Sequence, residues 1–309
     1  MKKIAVLYGG TTSEREVSLD SGRNVAEALA STGRYDVKSV ILDSDGIDAL
    51  PDDVDAVYIA LHGGWGEDGG VQAALDARGV PYTGPGAEAS AIAMDKVKTK
   101  LVLEMKGVPV PKWSLASAGA ENPPLPPPLV VKPPRDGSSV GISKVSDRSE
   151  WAKALETAMR STGGSEALVE EYIPGREATV GIVDGVALPP IEIVAKNGWY
   201  GYDEKYNSNE TRYPVLEDEA LCAKLKKTAL DAWSASGCRG VARVDFRISP
   251  LGRIYVLELN TSPGMTAHSL VPKAAAAAGV SFPDLCARIL EAARCDKVSS
   301  PCSGGRAEA

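Results

Sequence analysis

The sequence predicts an α/β protein of two or three domains, on three observations. Short apolar runs at 4–8, 37–42 and 56–61 alternate with helical patterns, the alternation of a parallel sheet with crossover helices. By contrast, the stretch 240–260 alternates with period two around a turn and reads as an antiparallel hairpin. The chain's 309 residues are enough for several cores.

Composition narrows the function classes. With 44% hydrophobic and 24% charged residues the chain has an ordinary globular make-up. A net charge of -7 and the lack of a Lys/Arg-rich run argue against non-specific nucleic-acid binding, and no apolar run is long enough for a membrane span. The first apolar run, Ile4 to Leu7, ends at Tyr8-Gly9-Gly10, too short for a signal-peptide core. Five cysteines without a C-x-x-C pair indicate neither zinc nor a complete disulfide framework, so a reducing cytoplasm is expected.

After the first strand, Gly9 to Glu16 is a flexible turn in which Ser13 and Glu16 suit a capping box and leave Glu14 without a structural duty. Neither G-x-G-x-x-G nor the P-loop pattern is present, but loops after parallel strands are where ligands bind. The third strand runs into His62 and a glycine-rich turn up to Gly70. That turn allows close backbone approach, or simply caps a helix from Val71 to Arg78 with Glu67 and Asp68 at its positive end; His62 reads as a satisfied structural imidazole or as a site residue. A helix from Ala87 to Lys106 carries Lys96, Lys98, Lys100 and Lys106, ordinarily a solvated face.

Ser117 to Pro128 is too proline-rich for helix or sheet and reads as a semi-rigid connector at a domain boundary. Strand 129–132 then leads through a glycine-serine loop to a returning strand, 141–145. The backbone N–H groups and hydroxyls of that loop, with Lys132 at its base, suit phosphate oxygens, and an ordinary hairpin loop is the alternative. A helix from Arg148 to Arg160 precedes strand 167–172, which breaks at Pro174-Gly175 and exposes backbone groups that suit an adenine edge or only a turn. Strands near 178–183 and 186–194 precede the aromatic, polar loop 197–207, which is either a self-packed surface loop or a lid. A helix from Glu217 to Ser236, the hairpin, an alanine-rich helix after Pro272, a helix from Phe282 to Arg294 and a disordered tail from Asp296 complete the chain.

In the hairpin, Ala242, Val244, Phe246 and Ile248 share one face, and Arg243, Asp245 and Arg247 the other; Tyr255, Leu257 and Leu259 lie opposite Glu258 and Asn260. A turn over Pro250 to Arg253, closed by Ser249 and Ile254, sets Asp245 across from Glu258. Two facing carboxylates repel unless a cation joins them, and oxygen donors without His or Cys suit a hard ion such as Mg²⁺. The following turn, Thr261 to Thr266, brings anion-binding N–H groups beside these donors, with a helix start near Ser269 and Leu270.

The segments RVDF, LELNTSPGMT and HSLVP, preceded by GGTTSEREVSLDSG, ALHGGWGEDG, MDK, VKPPRDGSSVGISKV, EEYIPGRE and YDEKY, resemble the ATP-grasp ligases, and among them the D-alanine:D-alanine ligases. The likeness runs from residue 1 to about 292; Asp136 stands where a Glu is common in the family. It implies a three-domain ATP-grasp fold: an open parallel α/β substrate domain at 1–86, then two α+β domains clasping ATP at 87–175 and 176–295, before the tail 296–309.

The roles implied by the resemblance are specific. Lys96 and Lys132 reach ATP phosphate, the loop with Ser138 and Ser139 closes over it, Glu170 and the Ile173 backbone meet adenine, Glu177 meets ribose, and Lys205 lies near the transferred phosphate. Asp245, Glu258 and Asn260 hold Mg²⁺, expected as two ions with Mn²⁺ as a substitute. Glu14 contacts the ammonium of the first D-alanine and joins Ser138 and Tyr206 in a network over the site, with His62 beside the substrates. Arg243 and the Gly264 N–H form an oxyanion site, and Ser269 and Leu270 take the carboxylate of the second D-alanine. The implied reaction converts one D-alanine to an acyl phosphate with ATP and lets the amine of the other attack, in peptidoglycan precursor synthesis. The resemblance also implies small-molecule partners only and allows for a homodimer; a D-alanine:D-lactate ligase and a silent nucleotide-binding relative are the alternatives.

Overall fold

The computed structural model of the chain describes residues 1–135, 141–195 and 210–296. Asp136, Ser138, Ser139, Lys205, Tyr206 and the tail beyond Asp296 lie outside the described residues.

The first third builds the expected parallel sheet. Strands β1 (Lys2–Gly9), β2 (Tyr35–Leu42) and β3 (Ala56–Ile59) run parallel in the order β2-β1-β3. Ala5 and Leu7 pack on one side with Val57, Val71 and Leu75, whereas Ile4, Val6 and Tyr8 pack on the other. Both faces are covered, which is why β1 reads as a continuous apolar run rather than an alternation. Part of that cover comes from the far end of the sequence: Leu285, Cys286, Ile289 and Leu290 of the last helix sit in the same core as Ile4 and Val6.

Helix α1 (Arg15–Ser31) starts one residue later than a Ser13 cap requires, and the expected capping box does not form. Glu14 occupies the cap position without a side-chain capping bond, and Thr12 organises the turn instead: its Oγ1 accepts from the Glu14 N–H at 3.2 Å and donates to the His62 carbonyl at 2.8 Å. Helix α2 (Gly70–Arg78) has Gly69 at its cap position, and Asp68 lies at its positive end as anticipated, its Oδ1 accepting from the Gly70 N–H at 2.9 Å.

The single helix expected over 87–106 is two, α3 (Ala87–Met94) and α4 (Lys96–Met105). Asp95 causes the break: it is extended, and its carboxylate caps α4 by accepting from the N–H groups of Val97 and Lys98, each at 3.1 Å. The break also turns the lysines. Lys96 and Lys100, one turn apart, are buried, while Lys98 and Lys106 are exposed, so the face expected to be solvated is split.

The next sheet is antiparallel, in the order β4-β7-β5-β6, from β4 (Trp113–Ser117), β5 (Leu129–Lys132), β6 (Ser143–Val145) and β7 (Glu166–Glu171). Strand β4 has no counterpart in the sequence reading. Because it pairs with β7 in the same sheet as β5, the proline-rich connector joins two strands of one sheet and is not a boundary. A 3₁₀ turn at Arg148–Glu150, closed by a capping box from Asp147 and Glu150, leads into α5 (Trp151–Thr162), which supplies Trp151, Leu155 and Ala158 to this sheet's core.

The third sheet has the order β10-β8-β11-β12, with β9 on one end of β8. Its strands are β8 (Arg176–Val183), β9 (Val186–Ala187), β10 (Ile191–Ile193), β11 (Val241–Ile248) and β12 (Ile254–Asn260). The continuous strand expected over 186–194 divides at Pro189-Pro190, which cannot donate to a ladder. Helix α6 (Glu219–Ala235) covers one face through Leu225, Ala229 and Ala232. Helix α7 (Leu270–Ala277) packs on β8, and α8 (Phe282–Glu291) returns to the first sheet. Among the described residues no helix is long and apolar enough to cross a membrane.

The β11–β12 hairpin pairs Asp245 with Glu258, as expected, but by another route. Its closing pair is Ile248 with Ile254, one position earlier on β11 than the predicted Ser249, so the loop is one residue longer, and a bulge between Asp245 and Phe246 then restores the register. The extra residue on β12 is Leu257, so the predicted face of Tyr255, Leu257 and Leu259 does not exist: Ile254, Val256 and Leu259 enter the core. Leu257 is turned with Glu258 to the lining of the cleft described below.

Candidate active site

A cleft lies between the second and third sheets. Val130 and Lys132 come to it from β5, Glu170 and Glu171 from β7, and Glu177, Arg243, Asp245, Arg247, Leu257 and Glu258 from the third sheet. Among the described residues five carboxylates line it against three cations, a charge balance that on its own would repel a polyphosphate.

At the β5–β7 end, Lys132 Nζ lies 2.8 Å from Glu170 Oε1, and Lys100 Nζ reaches the same oxygen at 2.6 Å. All three side chains are enclosed. Burial alone would push the Glu170 carboxyl up, but the two lysines hold it below its ordinary value. Burial lowers Lys100, against the pull of Glu170. Glu170 is therefore gripped from the side of the cleft and from behind.

At the hairpin end, Arg243 donates from Nε and Nη2 to Asp245 Oδ1 and Oδ2 at 2.9 and 2.7 Å, and Thr179 Oγ1 donates to Oδ1 at 2.5 Å. Period two on β11 brings Arg243 and Asp245 to one face, and the β8 register sets Thr179 beside Asp245. Across the hairpin lie Glu258, with Lys96 Nζ at 3.8 Å, and Asn260, whose Oδ1 accepts from the Ser262 N–H at 3.1 Å. No group of three His, Cys, Asp or Glu side chains that could hold a metal occurs among the described residues. The set that fits a hard cation is two facing carboxylates and an amide oxygen with a second lone pair, in a lining with excess negative charge.

Arg247 fixes the floor. It donates to the carbonyls of Ile173 and Gly175, each at 3.1 Å, to Glu177 Oε2 at 3.2 Å and to the Tyr172 hydroxyl at 3.3 Å. The segment Tyr172–Gly175 that ends β7 is thus pinned to β11. Glu177 is pushed up to about 7, chiefly by burial; Arg247 opposes this, and the nearby Asp245 and Glu258 add to it.

The remaining predicted residues form a second group between the first sheet and the loop after β12. His62 is buried, with Nε2 3.1 Å from Ser21 Oγ and Nδ1 3.0 Å from the Ser262 carbonyl. A carbonyl only accepts, so Nδ1 carries a proton, while Nε2 shares a hydrogen bond with the Ser21 hydroxyl and Glu67 Oε1 lies 3.7 Å from Nδ1. Ser21 Oγ in turn accepts from the Met265 N–H at 3.1 Å. The imidazole is satisfied, as the structural reading expects, and it joins the two loops that carry the predicted substrate residues. Glu14 lies over the same turn, since a Cβ on Gly63, which has φ +68°, would fall 2.8 Å from Glu14 Oε2. A Cβ on Gly264 would fall 2.8 Å from Ser269 Oγ, so a side chain there would displace Ser269 from the cap of α7. Leu270 follows as the first residue of that helix.

The sequence reading missed Lys100, Arg247, Thr179 and Ser21 as site residues. Two had a legible signal: Lys100 follows Lys96 by one helical turn, and Arg247 continues the alternation of Arg243 and Asp245. Thr179 and Ser21 are specified only by tertiary pairing.

Two family models match the chain, D-ala D-ala ligase N-terminus over residues 46–85 and D-ala D-ala ligase C-terminus over residues 103–291. A D-alanine--D-alanine ligase of Anaeromyxobacter sp. (strain Fw109-5) is 44% identical over 94% of this chain and 97% of its own. That of Syntrophotalea carbinolica is 46% identical over 94% of this chain and 96% of its own. Among solved structures, the D-alanine--D-alanine ligase of Bacillus anthracis complexed with ATP superposes with a TM-score of 0.82 at 34% identity, covering 94% of this chain and 97% of that one. Likeness of this extent spans both the cleft and the loop group at once, so the architecture is the ATP-grasp fold and the chain belongs to the D-alanine--D-alanine ligase family.

Proposed function

We propose that the protein joins two molecules of D-alanine into D-alanyl-D-alanine at the expense of ATP, a step in making peptidoglycan precursors. The observation that carries the chemistry is one cleft holding Lys132 at one end and, at the other, Asp245 facing Glu258 with Lys96 beside them. ATP bound there would present its phosphates to Lys96 and Lys132, its ribose to Glu177 and its adenine to the backbone near Ile173. With Oε1 of Glu170 taken by lysines, the adenine contact expected of that residue falls to its second oxygen.

The divalent cation is written as Mg²⁺, with Mn²⁺ as a substitute and two ions expected; Asp245, Glu258 and Asn260 would hold it. It supplies charge neutralisation and alignment for the phosphates, which the acidic lining does not. The protein's share of the work is positioning. Arg243 fixes the Asp245 carboxylate in the plane that faces Glu258. Glu14, on the first sheet's loop, suits the ammonium of the first D-alanine, and the start of α7 at Ser269 and Leu270 suits the carboxylate of the second. The carboxylate of the first takes the terminal phosphoryl group of ATP; the amine of the second then forms the C–N bond as phosphate leaves with the C–O bonding electrons and the amine gives up a proton.

Phosphate release tests the proposal. With ATP and Mg²⁺, D-alanine is expected to support release with one dipeptide formed per phosphate, and D-lactate added in equal amount is expected to leave the product almost wholly dipeptide at pH 8. Absence of D-alanine-dependent release would remove the proposal, and a predominant ester would reassign the second substrate.

A further inference from the structure

We propose that Lys100, which does not line the cleft, sets the charge of its phosphate-binding end: by neutralising Glu170 from behind, it leaves the charge of Lys132 to the phosphates of the nucleotide. The inference rests on the nucleotide reading above. Glu170 Oε1 lies 2.6 Å from Lys100 Nζ and 2.8 Å from Lys132 Nζ. Glu170 and Lys132 line the cleft, whereas Lys100 is 1% exposed on the inner side of α4.

One lysine is enough to satisfy a buried carboxylate, and enclosing a second costs desolvation and the repulsion of its neighbour. A fold in need only of a locked Glu170 has no use for Lys100. The Lys100–Glu170–Lys132 cluster as built carries two positive charges against one negative, a net cationic group in an otherwise acidic cleft. Without Lys100, Lys132 and Glu170 would cancel. Lys100 touches neither cleft nor ligand, so its role is that of a positioning residue acting through Glu170 and Lys132. The opposing account is that Lys100 merely holds Glu170 for the base.

The two accounts differ in the part of the nucleotide they affect. Calorimetric affinities for ATP and adenosine, with Mg²⁺ present, are compared in the wild type, Lys100→Met and the charge-compensated Lys100→Met/Glu170→Gln. In Lys100→Met the ratio of ATP to adenosine affinity is expected to fall about tenfold, with adenosine changed less than twofold. The double variant restores the net charge, so its ratio is expected to return to within about threefold of the wild type whatever the amide does to the base. It also retains no excess buried charge, which keeps the test open if the single variant fails to fold. An unchanged ratio in Lys100→Met, parallel losses of ATP and adenosine, or a low ratio in the folded double variant each overturn the role of Lys100. A wild type without ATP affinity overturns the nucleotide reading instead.

Discussion

The two halves of the site are held together by different forces. In the cleft the fixing contacts are between charges: Lys100 and Lys132 on Glu170, Arg243 on Asp245, Arg247 on Glu177. Where the first sheet meets the loop after β12, they are hydrogen bonds among backbone, hydroxyl and imidazole groups, between Met265 and Ser21, Ser21 and His62, His62 and Ser262, and Ser262 and Leu61. Buried ion pairs are poor sources of stability but strong determinants of position, because removing one partner leaves the other desolvated. Such hydrogen bonds contribute about 0.5 to 1.5 kcal/mol each and fail locally. The cleft is therefore built to hold fixed charge against a changing polyanion, and the junction to hold two loops in register.

The largest expected effect tests the charged half. Asp245→Asn keeps the shape but removes the charge that faces Glu258 and pairs with Arg243. Turnover is expected to fall by about 10² to 10³ or more with circular dichroism unchanged, the scale on which electrostatic groups at a reacting centre act. Magnesium-dependent turnover within threefold of the wild type would show that the hairpin acids are only a packed pair.

A mid-sized effect concerns Glu177, where the charged half is least well balanced. Its carboxyl is raised from 4.5 to about 7, first by burial, with Arg247 opposing. Between those values the folded protein binds more protons than the unfolded chain, so this group's contribution to stability is present at low pH and is lost as pH rises through 7. A shift of that size corresponds to at most about 3 kcal/mol, at 1.36 kcal/mol per pH unit. In EDTA and without nucleotide, Glu177→Gln is expected to gain stability relative to the wild type as pH goes from 5 to 8. Denaturant titration at several pH values reads this directly, and parallel pH curves would show that Arg247 keeps Glu177 ionised throughout.

Legibility in the sequence followed the range of the interaction. The parallel strands and α2 were readable because their signals are local: apolar runs and an acid, Asp68, at the positive end of the helix. The facing of Asp245 and Glu258 was readable because period two and a short turn restrict the register, although the real turn and the Leu257 bulge each shift it by one residue and cancel. What stayed hidden depends on distant chain. Asp95 breaks a helix that propensity would continue, Trp113–Ser117 becomes a strand only because β7 offers an edge, and Lys100 looks solvated until Glu170 arrives beneath it. Ser21 is the extreme case, a small polar residue within α1 whose partners are His62 and Met265.

The smallest expected effect lies there. Ser21 is fully buried, and its hydroxyl serves two groups from different parts of the chain, accepting from the Met265 N–H and sharing a hydrogen bond with His62 Nε2. Ser21→Ala removes one oxygen and leaves a backbone donor and a ring nitrogen without that partner, at a cost of about 1 to 3 kcal/mol. Because Ser21, His62, Ser262 and Met265 do not line the cleft, the loss should stay local. ATP affinity is then expected within twofold of the wild type, while the Michaelis constant for D-alanine rises several-fold as the loop that carries Gly264 and Ser269 loosens. Thermal melting and steady-state kinetics on one preparation separate the terms. A rise in the Michaelis constant for ATP equal to that for D-alanine would show that cleft and junction form one cooperative unit, and would end the distinction between the two halves.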